Sequence, residues 1–403
     1  MADRPVAELD GRTPLMAART PYMDRIAAGG AIGTVKTIPE GMALGSDVAN
    51  LSVLGYDPGK VYTGRSPIEA AGMGVDLGPA DVAYRCNLVI LGTGDPENPD
   101  TDLAGQLSPE HVMLDFAGGH PTEQEARSII ESLAESLTDD GIEFHQGVSY
   151  RHLMVWRNGL DDLDVAPPHD LTDQKIRVGW PQGPAAEKVL KLMGRSVEIL
   201  ADHPVNTGRR EQGKLPVNAI WLWGQGLKPV MKKFEKIYGL KGAMITAVDL
   251  LRGLAVSVGF EVINVPGATG YLDTNYEGKA AAALEALKKV DIIYLHVEAP
   301  DEAGHSGSVS DKIKAIEDFD SRIVGPILKG LDKMGHHRIL LMPDHATPLE
   351  IKTHSGEAVP FAIYDSETVN GSGRAYDEAN AAASGIHIEN GHELMGKFVR
   401  REL

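Results

Sequence analysis

The chain has 403 residues, 42% of them hydrophobic, and a formal net charge of −18. That length allows a substantial core and two or three domains; the acidity argues against nucleic acid as a partner, and no apolar run approaches the ~18 residues of a membrane span. A single cysteine, Cys86, excludes an intrachain disulfide and a cysteine-based metal site, and the absence of a secretory apolar segment predicts a cytoplasmic protein.

Residues 1–30 contain no apolar run of strand length. The first informative segment is Pro39 to Leu51, where a Gly-rich turn precedes Ser46 and an apolar periodic run follows it, placing Ser46 at the start of a helix. A Ser there can simply cap the helix, although position 49 is Ala and completes no reciprocal capping box. The same position suits phosphoryl chemistry, because free amides and the positive end of the helix dipole favour a phosphate. Residues 81–229 read as an inserted α+β domain. They hold strand-like Tyr84 to Leu91, helix-like Glu123 to Leu137, strand-like His152 to Trp156 and a Pro- and Asp-rich stretch from Asp161 to Asp173. An anionic substrate would need local cations in so acidic a chain, and Arg151, Lys175, Arg177, Arg209, Arg210 and Lys214 supply candidates here.

From about residue 230 onward, helical and strand patterns alternate. Helices are expected over 229–238, 247–258, 279–289 and 309–334, and strands over 243–245, 260–265, 291–297 and 338–342. Such alternation predicts an α/β fold with a doubly wound, mostly parallel sheet, built from 1–80 and 230–403. Two of these strands end in chemistry. The run Ile292 to Val297 leads into Glu298-Ala-Pro-Asp-Glu-Ala-Gly-His305, and a helical turn after Pro300 would bring Asp301 and His305 about 5 to 6 Å apart on one face. The run Arg338 to Pro343 ends in Asp344-His345, with His354 nine residues further on. Two strands each delivering an Asp and a His at the carboxyl end point to a two-metal centre, and metal coordination would also activate the Ser46 hydroxyl.

With these motifs stand longer strings: Pro39 through Ser52, Leu54 to Pro58, Tyr62 to Pro67, Trp221 to Gly226 and Pro266 to Tyr271. Together they make nearly the whole chain resemble the archaeal-type cofactor-independent phosphoglycerate mutases of the alkaline phosphatase superfamily. The resemblance implies interconversion of 3-phosphoglycerate and 2-phosphoglycerate through a phosphorylated Ser46. It also implies two divalent ions, Mn or Zn with Mg as a substitute, one held by Asp301, His305 and His354 and the other by Asp344, His345 and Ser46. The inserted domain would close over the glycerate, with Arg151, His169, Asp170 and Arg209 handling it, Arg252 and Lys279 near the same cleft, and Asp170 or His169 exchanging protons with its hydroxyls. Two other functions compete: a phosphatase or phosphotransferase for another small metabolite, such as a homoserine-kinase-like role, or a non-catalytic binding protein. Oligomeric state has no signature in the sequence.

One part of the family pattern is missing. A first strand ending in Pro-Asp-Gly, whose Asp would be a ligand of the second metal, should precede a segment like Met1 to Pro5. A misplaced start would explain this. The chain as written is expected to have a weakened second metal site and an unpaired sheet edge, with Asp3 a poor substitute for the lost ligand. Restoring roughly ten upstream residues should raise activity and stability; equal turnover and metal affinity in both forms would refute it.

Overall fold

Apolar runs and period-two alternation build twelve strands among the described residues, which are 1–93, 100–137, 141–367 and 371–403 of a computed structural model. In chain order they are β1 (Ala31–Val35), β2 (Val82–Gly92), β3 (Val112–Asp115), β4 (Ile142–Val148), β5 (Arg151–Trp156), β6 (Ala219–Leu227), β7 (Gly242–Ile245), β8 (Glu261–Val262), β9 (Ile292–Leu295), β10 (Arg338–Leu341), β11 (Val359–Asp365) and β12 (His387–Ile388). They fall into two units, Met1–Tyr62 with Val230–Leu403, and Thr63–Pro229.

The first boundary therefore lies near residue 62 rather than 80. The reason is the helix Ser66–Gly72, which packs Ala70, with Leu77 beyond it, against Ala83, Leu153 and Val155 of the second unit. Gly64, at φ +140°, permits the approach: a Cβ there would stand 2.1 Å from the Gln225 carbonyl. The second unit is a five-stranded antiparallel sheet in the order β3-β2-β5-β4, with β6 also paired to β2. β2 is buried at all eleven positions. One face of this sheet meets the helices Glu123–Leu137 and Ala186–Ala201 in an apolar core that includes Tyr84, Leu88, Ile129, Leu133, Val189 and Leu222.

In the first unit β7 pairs in parallel with β8 and β9. A separate sheet has the order β10-β11-β1-β12, in which β11 runs antiparallel to both neighbours and only the β1–β12 pair is parallel. The expected helix over 309–334 is broken into Val309–Phe319, a π turn at Asp320–Val324, and Gly325–Leu331. Pro326 explains this, since it lacks an amide and its ring would clash with the carbonyl four residues back, and the wider turn relieves both. The buried Asp320 in that turn accepts from the Met23 and Tyr22 amides at 2.7 and 3.1 Å. The strand expected over 260–265 shortens to two residues, and the helix expected over 229–238 starts only at Phe234.

Among the described residues β9 is paired only with β7, and β10 only with β11, so each has an edge with no strand beside it. All four β9 side chains are half-buried, whereas those of β7 are buried. No helix among the described residues is long and apolar enough to cross a membrane.

Candidate metal centre

Four short segments of the first unit bring the Asp and His residues together. After β9 the chain turns into the helix Ala299–Ser306, with Pro300 at its start, which places Asp301 and His305 one turn apart as their spacing predicts. After β10, Asp344 and His345 begin a loop that an Ala346–Ser355 bridge closes, so His354 returns beside His345 with ring centroids 4.0 Å apart. The helix Ser46–Val53 supplies Ser46 as its first residue. Gly45 is the cap, and the Ser46 hydroxyl makes no capping bond; it lies 2.9 Å from His345 Nε2.

Asp301, His305 and His354 offer ligand atoms that all lie within 4.8 Å of one another. His305 Nε2 is 3.1 Å from Asp301 Oδ2 and 3.0 Å from His354 Nε2, and His354 Nε2 is 3.6 Å from Asp301 Oδ1. The other ring nitrogens are committed: His305 Nδ1 is 3.0 Å from the Lys352 carbonyl, and His354 Nδ1 3.0 Å from the Leu44 carbonyl. A carbonyl only accepts, so both Nδ1 atoms donate and both Nε2 atoms turn lone pairs toward the same point as the carboxylate. Three converging acceptors fit a divalent cation, and this donor set suits Zn or Mn. Without a cation a proton holds the group together. The Asp301 hydrogen bond raises His305 to about 9. Burial works against the charge on His354, but the same carboxylate raises it as well. Burial would raise Asp301 too, yet its bonds to His305 and His354 keep it well below the usual carboxylate range.

The Asp344, His345 and Ser46 group is built differently. Asp344 Oδ2 accepts from Asn50 Nδ2 at 2.8 Å and stands 3.4 Å from His345 Nε2. Asn50 is oriented in turn by its bond to the Ser46 carbonyl at 2.8 Å and by the Tyr294 hydroxyl. Burial lowers His345, leaving it a neutral imidazole at pH 7. The groups meet through Asp301, whose Oδ1 accepts from the Thr347 hydroxyl and lies 3.9 Å from His345 Nδ1. Asp3 does not join them. Its carboxylate is taken by Lys312 Nζ at 2.7 Å, a fully buried pair, and by the Leu349 amide at 3.3 Å. The Met1 amine is buried near Asp301 and Asp344, and burial lowers it to about 6.

The other expected site residues divide. Lys279 is fully buried, its Nζ 3.5 Å from the His296 carbonyl, and burial lowers it to about 8. Arg252 donates to Asn264 Oδ1 at 2.7 Å, tying its helix to the loop after β8. In the second unit, His169 packs edge-on against Trp223 and Phe116, with Asp170 Oδ1 3.7 Å from its Nε2. Arg151 opens β5 and lies over the Tyr150 ring at 5.9 Å. Arg209 is spent on scaffolding: it is buried, donates to the Leu215 and Gly118 carbonyls at 2.9 and 3.0 Å, and faces Glu125 at 3.5 Å. Sequence reasoning missed Asn50, Thr347 and Tyr294. Asn50 had a signal, since it follows Ser46 by one helical turn and shares its face.

Comparison with known proteins gives the chain a family. The family model for 2,3-bisphosphoglycerate-independent phosphoglycerate mutase matches residues 27–206. The chain is 52% identical over 402 residues to a probable 2,3-bisphosphoglycerate-independent phosphoglycerate mutase of Geobacter sulfurreducens, covering 100% of this chain and 98% of that one. It is 48% identical over 404 residues to the corresponding enzyme of Methanosarcina barkeri, covering 99% and 97%. Among solved structures, a Pyrococcus horikoshii protein matches with a TM-score of 0.78 at 30% identity, covering 100% of this chain and 95% of that one. The cofactor-independent phosphoglycerate mutase of Thermoplasma acidophilum matches at 0.65 and 25% identity, covering 100% and 96%.

Proposed function

The chain belongs to the 2,3-bisphosphoglycerate-independent phosphoglycerate mutases, isomerases of an alkaline-phosphatase-like α/β fold, and from that premise we propose how its residues divide the reaction. The substrate pair is 3-phosphoglycerate and 2-phosphoglycerate, and the setting is the cytoplasm, where that metabolite pool lies. Ser46 is the nucleophile. Its Oγ forms a bond to phosphorus as the bond to the 3-hydroxyl oxygen breaks and that oxygen takes a proton. The 2-hydroxyl then attacks phosphoserine, gives up its proton and regenerates Ser46. The single observation that carries this assignment is the Ser46 hydroxyl, free of any capping bond at a helix N-terminus and 2.9 Å from His345 Nε2.

Asp301, His305 and His354 would hold one divalent ion, Mn or Zn, and Asp344 and His345 with Ser46 the second. Bound there, the ions would neutralise phosphoryl charge and favour the Ser46 alkoxide. The chain's own side chains do the rest. Asn50 fixes Asp344, Thr347 fixes Asp301, and the Lys352 and Leu44 carbonyls fix the imidazole tautomers. Arg151 and the His169–Asp170 pair are assigned to the glycerate, with the pair exchanging protons with its hydroxyls. Lys279 supplies a buried positive charge beside the segment that leads into the metal helix.

The test is phosphorus NMR on metal-loaded protein supplied with 3-phosphoglycerate, with Ser46→Ala as control. Formation of 2-phosphoglycerate without free phosphate is expected. Release of phosphate alone would instead mark a phosphatase, and no reaction in the wild type would remove the proposal.

A further inference from the structure

One face of the second unit's sheet changes character along its strands. The pairs Ala83–Val155, Arg85–Leu153 and Asn87–Arg151 lie opposite one another in register, so these six side chains share a face. At one end Ala83, Leu153 and Val155 pack against Ala70 and Leu77. At the other end the face turns cationic, with Arg85 and Arg151 from the sheet and Arg65 just before the helix Ser66–Gly72. This is costly in ordinary terms, because a buried guanidinium is kept only where something needs it.

Arg85 is 5% exposed, and its guanidinium lies over the Trp223 ring at 5.1 Å. Its Nη1 donates to Glu69 Oε1 at 2.9 Å, and Arg65 Nε donates to the same oxygen at 3.0 Å. One carboxylate thus holds two guanidiniums side by side. The charge of Arg151 also acts on both Glu69 and Arg85. Burial lowers Arg85 to about 10, which leaves it cationic at neutral pH. Its Nε, fully buried, has no hydrogen-bond partner among the described residues. Three guanidiniums thus gather around Glu69 in a chain whose net charge is −18. The aromatic ring of Trp223 also carries His169 at 5.5 Å, and Asn87 Oδ1 accepts from Trp223 Nε1 at 3.1 Å, so the floor of the cluster is braced.

We infer that Arg65 and Arg85, fixed by Glu69 and backed by Trp223, form the carboxylate-binding site for the glycerate moiety. The inference rests on the mutase reading and adds to it the pair of residues that recognises an acid rather than a simple phosphate ester. A mutase must keep its dephosphorylated hydroxy acid bound between two transfers, and paired guanidiniums are suited to a planar carboxylate.

The experiment measures KM and kcat for 3-phosphoglycerate in the wild type and in Arg85→Gln, Arg85→Lys and Arg65→Gln. D-glycerate and glycerol are then titrated calorimetrically into the same metal-loaded full-length proteins. Both Gln variants are expected to raise KM and weaken glycerate binding by at least about tenfold, with Arg85→Lys recovering part of the loss, and glycerol is expected not to bind. Arg65, one-third exposed, keeps the test valid if the buried Arg85 variants fail to fold. Unchanged KM and glycerate affinity in Arg65→Gln and the folded Arg85 variants would overturn the inference, as would a wild type blind to millimolar glycerate. A wild type that binds glycerate through these arginines yet forms no 2-phosphoglycerate would sink the mutase reading and leave the carboxylate site standing.

Discussion

The two ligand groups of the first unit differ in what their imidazoles are tied to. His305 and His354 each anchor Nδ1 on a main-chain carbonyl and turn Nε2 toward Asp301. His345 instead has Thr347 Oγ1 at 3.4 Å from Nδ1 and turns Nε2 to the Ser46 hydroxyl. The first group converges on one point between its ligand atoms, the second on the Ser46 hydroxyl. Backbone carbonyls cannot change protonation and move little, so the first group keeps its geometry whichever of proton or metal occupies it. The second depends on side chains: Asn50 of the Ser46 helix, Thr347 of its own loop, and Tyr294 of β9.

The largest expected break in this comparison is Ser46→Ala, which removes the proposed nucleophile and should lower isomerisation by at least about 10³-fold while leaving the first group's metal in place. Turnover and bound metal per chain, measured on one preparation, check both halves. Next comes Asp301, whose carboxylate faces both groups. Asp301→Asn should cost more than about 100-fold in affinity for the first metal and weaken the second as well, whereas His305→Ala should affect the first alone. Metal content after gel filtration distinguishes them, and equal retention by the two variants would show that Asp301 bridges nothing. Asn50→Ala should cost about 10- to 100-fold in kcat by freeing Asp344, with the first metal's affinity unchanged by calorimetry.

The smallest effect is in pH. His305 sits at about 9 without metal, so its proton must leave when a cation binds. First-site affinity should therefore climb with pH up to about 9, by up to about tenfold per unit, while the His345 site stays flat over the same range because that imidazole is already neutral. The sign for stability is opposite. His305 is raised above its unfolded value, so the metal-free protein keeps that contribution below about 6.5 and loses it as pH rises through 9. Thermal melts of metal-free protein at pH 6 and pH 9.5 measure it, and a higher melting temperature at the alkaline end would contradict the ion pair.

Much of this was legible in the sequence because the signals are local. The helix Glu123–Leu137 has the bounds its periodicity predicts, and Asp301 and His305 share a face because four residues make about one turn. The Asp and His residues at strand ends pointed to a candidate metal-ligand group without any knowledge of pairing. What escaped was long-range. β1, β11 and β12 pair across more than 300 residues, and nothing local marks those partners. The Arg65–Glu69 spacing of four was visible, but Arg85 joins it only through sheet register and the packing of one helix.

The sequence by itself determined which chemical groups the protein possesses and, through period and spacing, which neighbours share a face. The tertiary structure alone decided which groups remain available. Arg209 looked as suitable as Arg151, yet it donates to two carbonyls and faces Glu125, and Asp3, expected to be a poor substitute ligand, is held by Lys312 and the Leu349 amide. A donor or acceptor satisfied by the fold has little left for a ligand, and that commitment is made by segments far apart in the chain.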